Sequence, residues 1–263
     1  MTKFAEPPDD TYAPVFLEDT DRLLPDKINA STRYAYFKTI ARGGKCIIQS
    51  CKDMHLGRTI CYKKLKPEFA DNPTEQRRFV REARVSAMLQ HPNTVPTYEL
   101  GRDSHGQLYF TMKLVHGFTL RELLAPDYRE RYDLIQLVDV VIEVAHALAY
   151  AHSHRVVHRD IKPDNILVGP FDEVVLMDWG LAKVWNEDGS ANDLPPGEDV
   201  DPDAPASSLT GQGNLEGTAA YMSPEQIRRD PGIDYRTDIY SLGVILYEIL
   251  ARRTPFEAET VRG

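Results

Sequence analysis

Within His158-Arg159-Asp160-Ile161-Lys162-Pro163-Asp164-Asn165, a carboxylate is followed by a lysine two positions on and a carboxamide three further. Thirteen residues after Asn165 stands Asp178-Trp179-Gly180. These groups suit one task, steering a hydroxyl onto a metal-bound nucleotide phosphate. Such a transfer needs positioning and charge neutralisation more than covalent chemistry from the protein. Asp160 is placed to accept or orient the proton of the attacking hydroxyl, and Lys162 to put positive charge near the migrating phosphoryl group. Asn165 and Asp178 offer oxygen ligands of the kind Mg²⁺ prefers. A polar loop between two apolar segments would explain the polarity but not this pattern at this spacing.

The string resembles the catalytic loop H-R-D-x-K-P-x-N of the eukaryotic-type protein kinases, and Asp178-Trp179-Gly180 stands where that family has D-F-G. The resemblance implies that Asp160, Lys162 and Asn165 are catalytic and that Asn165 and Asp178 hold metal. Lys at 162 is typical of members that modify Ser or Thr. Ile60-Cys61-Tyr62-Lys63 resembles V-A-I-K, which makes Lys63 the implied partner of the α- and β-phosphates. Lys64 is adjacent, but strand alternation sends it to the opposite face. Glu82 falls where the family's helix Glu pairs with that Lys.

The glycine-rich loop departs from the pattern. Ile40-Ala41-Arg42-Gly43-Gly44-Lys45-Cys46-Ile47-Ile48 occupies the G-x-G-x-x-G-x-V position, and of its three defined glycines only Gly43 is kept. Ala41 and Cys46 replace the outer two, and a side chain there reduces close backbone access to phosphate. The implied nucleotide contacts are Ile40, Ala41, Arg42, Gly43, Gly44 and Ile48. Leu108 to Val115 resembles the last strand and hinge, with Met112 behind the adenine and backbone groups of Lys113 and Val115 pairing with the base. Gly217 to Glu225 resembles the end of an activation segment (178–225), with S-P-E for A-P-E. Asp238-Ile239-Tyr240-Ser241-Leu242-Gly243 resembles the start of the family's buried central helix, whose Asp accepts backbone N–H bonds from the catalytic loop. Arg159 could pair with a phosphate on Ser207, Ser208 or Thr210, while Thr218 is expected near Asp160 and Lys162. Bacterial Ser/Thr kinases resemble the chain most, over about residues 34–256.

Elements able to position these groups can be read from the pattern. Tyr34 to Leu65 is strand-rich, with turns at Gly43-Gly44 and His55-Leu56-Gly57. Asn72 caps a helix that Pro73 and Glu75 open; Phe79, Ala83 and Ala87 give it a packed face, and His91-Pro92-Asn93 stops it. Strands follow at 94–100 and 107–114. Beyond them come a helix from Asp133 to His154, short strands at 166–168 and 174–177, and a helix from Asp238 to Ala251. That last helix is apolar on nearly all sides and is expected to be buried. The fold class is therefore α+β, two-lobed and kinase-like. The small lobe spans about 31–114, the hinge about 112–116, and the large lobe about 117–263. Residues 1–30 read as an acidic, Pro-containing extension.

Composition fits this reading. Hydrophobic content of 42% and charged content of 27% are ordinary for a globular chain of 263 residues. Of the net charge of −9, residues 1–30 and the insertion at 186–206 carry −4 and −7, leaving the rest about +2. No basic patch points to nucleic acid. Apolar runs are broken by charge within about ten residues, so no membrane span is expected. Three cysteines (Cys46, Cys51, Cys61) suggest reduced core residues in a cytoplasmic setting, rather than a disulfide framework or a metal site.

The expected activity is transfer of the γ-phosphoryl group of ATP to protein Ser/Thr hydroxyls with Mg²⁺, or with Mn²⁺ as an alternative. A pseudokinase acting as a nucleotide-binding or scaffolding module is the main rival, supported by Ala41, Cys46 and the absence of the family's last helices; a small-molecule kinase is a third reading. The family continues for several helices beyond a segment like Thr254-Pro255-Phe256. A fragment of a longer protein, or completion by self-association or a partner, is therefore expected.

Overall fold

The computed structural model describes Thr20 and residues 30–128, 132–185, 219–230 and 232–256. The acidic insertion and the candidate phosphorylation sites Ser207, Ser208 and Thr210 lie outside the described residues, as does Thr218.

The small lobe is an antiparallel sheet of β1 (Tyr34–Arg42), β2 (Cys46–Asp53), β3 (Arg58–Leu65), β4 (Thr97–Arg102) and β5 (Leu108–Met112), in the order β1-β2-β3-β5-β4. Helix α1 (Pro73–Met88) covers one face. Its start is fixed chemically: the Asn72 side chain accepts the N–H groups of Thr74 and Glu75, and Pro73 occupies the first turn. Phe79 and Ala83 pack against Leu65, Leu108 and Phe110. Ala87, expected on this face, is exposed. A strict four-residue step drifts about 40° per repeat on a helix of 3.6 residues per turn, so two steps leave the stripe. The buried face runs instead through Glu75, Phe79, Glu82, Ala83 and Val85.

The lobes join where the segment after α1 meets the large lobe. Asn93 Nδ2 donates to Val174 O at 2.9 Å, and Leu176 N–H donates to Asn93 O at 2.8 Å. The large lobe continues with β6 (Phe118–Thr119), α2 (Leu120–Leu124), α3 (Leu134–Ser153), β7 (Val156–Val157), β8 (Ile166–Val168), β9 (Val174–Leu176), β10 (Lys183–Val184), α4 (Pro224–Ile227) and α5 (Arg236–Ala251). Strands β6, β8 and β9 form one small sheet and β7 pairs with β10. Gly117 leads into β6 with φ +146°, and a Cβ there would sit 2.2 Å from Val168 O. Only glycine fits that crossing.

Helix α3 opens with a capping box between Asp133 and Gln136. It buries Leu137, Val140, Val144, Ala147, Leu148 and Ala151 against Leu242, Ile245 and Ile249 of α5 and against β8 and β9. Contrary to expectation, α3 is long and apolar enough to cross a membrane by length and composition. Asp139 and Glu143 interrupt the apolar run without lowering its mean hydropathy enough to disqualify it. Here the helix supplies the core of the lobe. α5 also differs from expectation: Ile239 and Leu250 are 51% and 59% exposed. Its contacts among the described residues cover the side facing α3, not the whole circumference.

Asp238, on the first turn of α5, is fully buried. It accepts the N–H groups of His158 and Arg159 at 2.8 Å each and lies 2.8 Å from His152 Nε2. Asp238→Ala leaves these three groups without their partner, and the expected cost is about 3–5 kcal/mol. Urea denaturation checks this; a loss under about 1 kcal/mol, no more than an ordinary substitution, contradicts it.

Candidate active site

The pleat of β3 decides between the two adjacent lysines. Lys63 pairs in register with Ile48 on β2 and Phe110 on β5, and points toward α1. Lys64 lines a separate hollow of about 510 Å³ on the other face of the sheet, with Tyr34, Phe37, Tyr62 and Tyr109. Lys63 Nζ lies 2.5 Å from Glu82 Oε1, and both side chains are nearly buried (13% and 11% exposed). Burial opposes charge on the Lys63 ammonium, but the carboxylates of Glu82 and Asp178 outweigh it and hold its pKa above the usual value. Burial raises the pKa of Glu82, and Lys63 only partly offsets it.

The catalytic-loop segment turns sharply after β7. Arg159 has φ 67° and Asp178 has φ 64°, both in the left-handed region that costs a non-glycine residue energy. The surroundings hold these two positions. The Asp238 carboxylate takes the Arg159 N–H, and the Asp178 side chain accepts the Gly180 N–H at 3.3 Å. A Cβ on Gly180 would stand 3.1 Å from Asp178 Oδ1, so glycine leaves that carboxylate its place. Trp179 is 1% exposed and lies against the His158 ring, centroids 4.5 Å apart. His158 Nε2 in turn meets Met177 O at 2.9 Å.

Asp160, Lys162 and Asn165 come together. Lys162 Nζ is 2.9 Å and 3.1 Å from the two Asp160 oxygens. Asn165 Nδ2 donates to Asp160 Oδ2 at 2.9 Å and to Asp160 O at 2.8 Å. With its amide nitrogen so engaged, Asn165 presents its oxygen as the remaining acceptor. Burial pushes the Asp160 pKa up, with Lys162 working against it and Asp178 adding to it. Asp178 differs: burial would raise it, but Lys63, His158 and the Gly180 N–H hold it below the usual value. The Asp178 carboxylate and the Asn165 amide oxygen are hard oxygen donors, a set that fits a divalent cation such as Mg²⁺. No cluster of three or more His, Cys, Asp or Glu suited to a metal occurs among the described residues. A cation held by one or two protein oxygens plus phosphate needs none.

The loop between β1 and β2 is a tight turn in which Gly43 N–H donates to Cys46 O at 3.0 Å. Ile40, Ala41 and Arg42 lie exposed at the end of β1, and Ile48 is half-buried on the Lys63 side of the sheet. A Cβ on Gly43 would touch only Cys46 O, at an ordinary 3.7 Å. The fold alone therefore does not require that glycine. Cys46, at the third glycine position, packs against the small-lobe core, and burial pushes its thiol up to about 11. All three cysteines are free. Met112 also packs on this core. Lys113 N–H donates to Pro96 O at 2.9 Å, which leaves the carbonyl as its backbone group for a ligand, and its side chain pairs with Glu173. Val115 is half-buried in the following hinge.

One cluster escaped sequence reasoning. Arg121 of α2 reaches Glu248 at 2.9 Å, the Tyr221 hydroxyl at 2.6 Å and Asp164 at 3.4 Å. Tyr221 also donates to Glu248 at 2.5 Å. The cluster ties the end of the activation-segment region to α5 and to the catalytic loop. Its members are separated by up to 127 positions. The only signal was an acid, Glu248, within the apolar run that follows the first turn of α5.

The protein kinase domain family matches residues 34–263. The chain is 35% identical over 238 residues to the serine/threonine-protein kinase PknD of Chlamydia caviae, covering 85% of this chain and 25% of that protein. It is 34% identical over 243 residues to PknD of Protochlamydia amoebophila, with 87% and 24% covered. A "probable serine/threonine-protein kinase" of Clostridium acetobutylicum is 34% identical over 230 residues, with 88% and 32% covered. The chain thus spans about a quarter to a third of the length of these relatives. Lys63 paired with Glu82, Asp160 beside Lys162 and Asn165, and Asp178 facing them in one cleft agree with that match: the chain belongs to the eukaryotic-type serine/threonine protein kinase family, in its bacterial branch.

Proposed function

We propose that the chain transfers the γ-phosphoryl group of ATP to Ser or Thr hydroxyls of proteins. The observation that carries this reading is the assembled cleft, with the Lys63–Glu82 pair closed at 2.5 Å and Lys162 and Asn165 both bonded to Asp160. Asp160 orients the attacking hydroxyl and takes its proton. Lys162, held on the same carboxylate, places positive charge beside the phosphoryl group as it moves. Lys63 grips the α- and β-phosphates, and Glu82 fixes where its ammonium points. Asn165 and Asp178 are the residues to hold Mg²⁺, which when bound neutralises phosphate charge. The hinge carbonyl of Lys113 and the backbone of Val115 recognise the adenine, with Met112 behind it. The three free cysteines in β2 and β3 suit a reducing, cytoplasmic setting.

A pseudokinase would rest on Ala41 and Cys46. Against it, Ala41 adds only a methyl group and Cys46 packs into the small-lobe core.

Incubation with labelled ATP, Mg²⁺ and a generic basic protein should give phosphoserine or phosphothreonine. Asp160→Asn should lower the rate by about 10²- to 10⁴-fold, the usual contribution of a positioned base. No transfer by the wild type, or an unimpaired Asp160→Asn, contradicts the proposal. Lys63→Met should lower transfer by at least about 10²-fold, the order lost when one preorganised charge is removed, with the circular dichroism spectrum retained. Lys64→Met should leave transfer at the wild-type level. The reverse pattern would show that the two lysines have been assigned to the wrong faces.

A further inference from the structure

The turn that would lie over the nucleotide phosphates carries a lysine of its own, and that lysine is engaged. Lys45 Nζ lies 2.6 Å from Glu75 Oε1 on the first turn of α1. Lys45 is 41% exposed, whereas the Glu75 side chain is only 11% exposed. Arg78 reaches the same Glu75 oxygen at 3.1 Å. Two more bonds hold the turn from the end of β3: Lys66 Nζ donates to Gly44 O at 2.8 Å, and Lys66 N–H donates to Lys45 O at 2.9 Å. Glu75 and Glu82 are seven residues apart, which puts both on one face of α1, about 10 Å along its axis. One helix face therefore grips the phosphate loop with its first carboxylate and Lys63 with its second.

We propose that Glu75 is a positioning residue: through Lys45 it sets the height of the 43–46 turn over the nucleotide, so that loop and Lys63 move with α1 as one unit. The role matters more here than in a loop with all three glycines. Ala41 and Cys46 reduce the range of backbone conformations the loop can reach, so an external tie has more control over where it rests. The proposal rests on the nucleotide reading of the cleft. It also makes one negative assignment: Lys45 is a strut to the helix and does not contact phosphate.

The test uses the full chain with Glu75→Gln, Lys45→Met, the double variant, Lys45→Arg and Arg78→Gln. Hydrogen exchange of the amides at 43–47, which needs no catalysis, should accelerate in Glu75→Gln and Lys45→Met. It should stay at the wild-type rate in Lys45→Arg and Arg78→Gln. The KM for ATP should rise about three- to fivefold in each of the two single variants, the size of a partly exposed ion pair, with kcat and the KM for protein substrate unchanged. The double variant should be no worse than either single one, because both remove the same interaction. A raised KM in Lys45→Met with an unchanged or lowered KM in Glu75→Gln would overturn the proposal, by showing that Lys45 touches phosphate itself. Unchanged exchange in both single variants would overturn it too. If the wild type transfers no phosphate, the kinase reading fails, and the exchange pattern still decides whether the tie exists.

Discussion

The arrangement depends on one buried ammonium placed between two carboxylates. Lys63 has Glu82 at 2.5 Å and feels Asp178 strongly enough, against the cost of burial, to keep its proton more tightly than a free lysine. Each partner comes from a different part of the chain: β3, α1 and the strand-to-turn junction after β9. The three charges sum to −1, and in a poorly solvated cleft that imbalance calls for a cation. The protein thus presents a site electrostatically suited to the divalent cation that accompanies a polyphosphate. Burial raises the Glu82 pKa despite Lys63, whereas at Asp178 the pull of Lys63, with His158 and the Gly180 N–H, outweighs burial and lowers it.

The second constraint is Asp238. By taking two backbone N–H groups of the loop, it holds Arg159 in a left-handed conformation and so aims Asp160 into the cleft. Positioning of the reacting carboxylate is referred to the core of the large lobe, because α5 is itself packed on α3. The Arg121–Glu248–Tyr221 cluster adds a second link from the same helix to the segment ending at Ser223. Rigid elements place the chemistry, and at Arg159 a buried acceptor holds the strained backbone of the loop that carries it.

Where no family motif spoke, legibility in the sequence followed chain separation. Asp160, Lys162 and Asn165 lie within six residues, and the start of α1 is fixed by the neighbouring Asn72, Pro73 and Glu75, so local pattern sufficed for both. The choice of Lys63 over Lys64 came from the resemblance to V-A-I-K, with strand alternation sending Lys64 to the other face. What escaped was either non-local or a question of coverage. The Lys45–Glu75 and Arg121–Glu248 pairs join elements that no periodicity connects. The exposure of Ala87, Ile239 and Leu250 depends on which neighbours cover a helix, which an apolar residue does not announce. Trp179 read as part of a catalytic signature, yet its side chain is core. α3 passes as a membrane span by composition because a lobe's central helix and a bilayer both select apolar residues.

The central claim is that the cleft's unbalanced negative charge is built for a metal–nucleotide pair. Calorimetric titration with ATP in the presence and absence of Mg²⁺, on the wild type and on Asp178→Asn, tests it most directly. The account predicts that wild-type affinity rises at least about tenfold with the metal, equivalent to about 1.4 kcal/mol, and that Asp178→Asn loses most of this gain while its fold is retained. Equal wild-type affinity with and without metal, or an undiminished metal effect in Asp178→Asn, would contradict it.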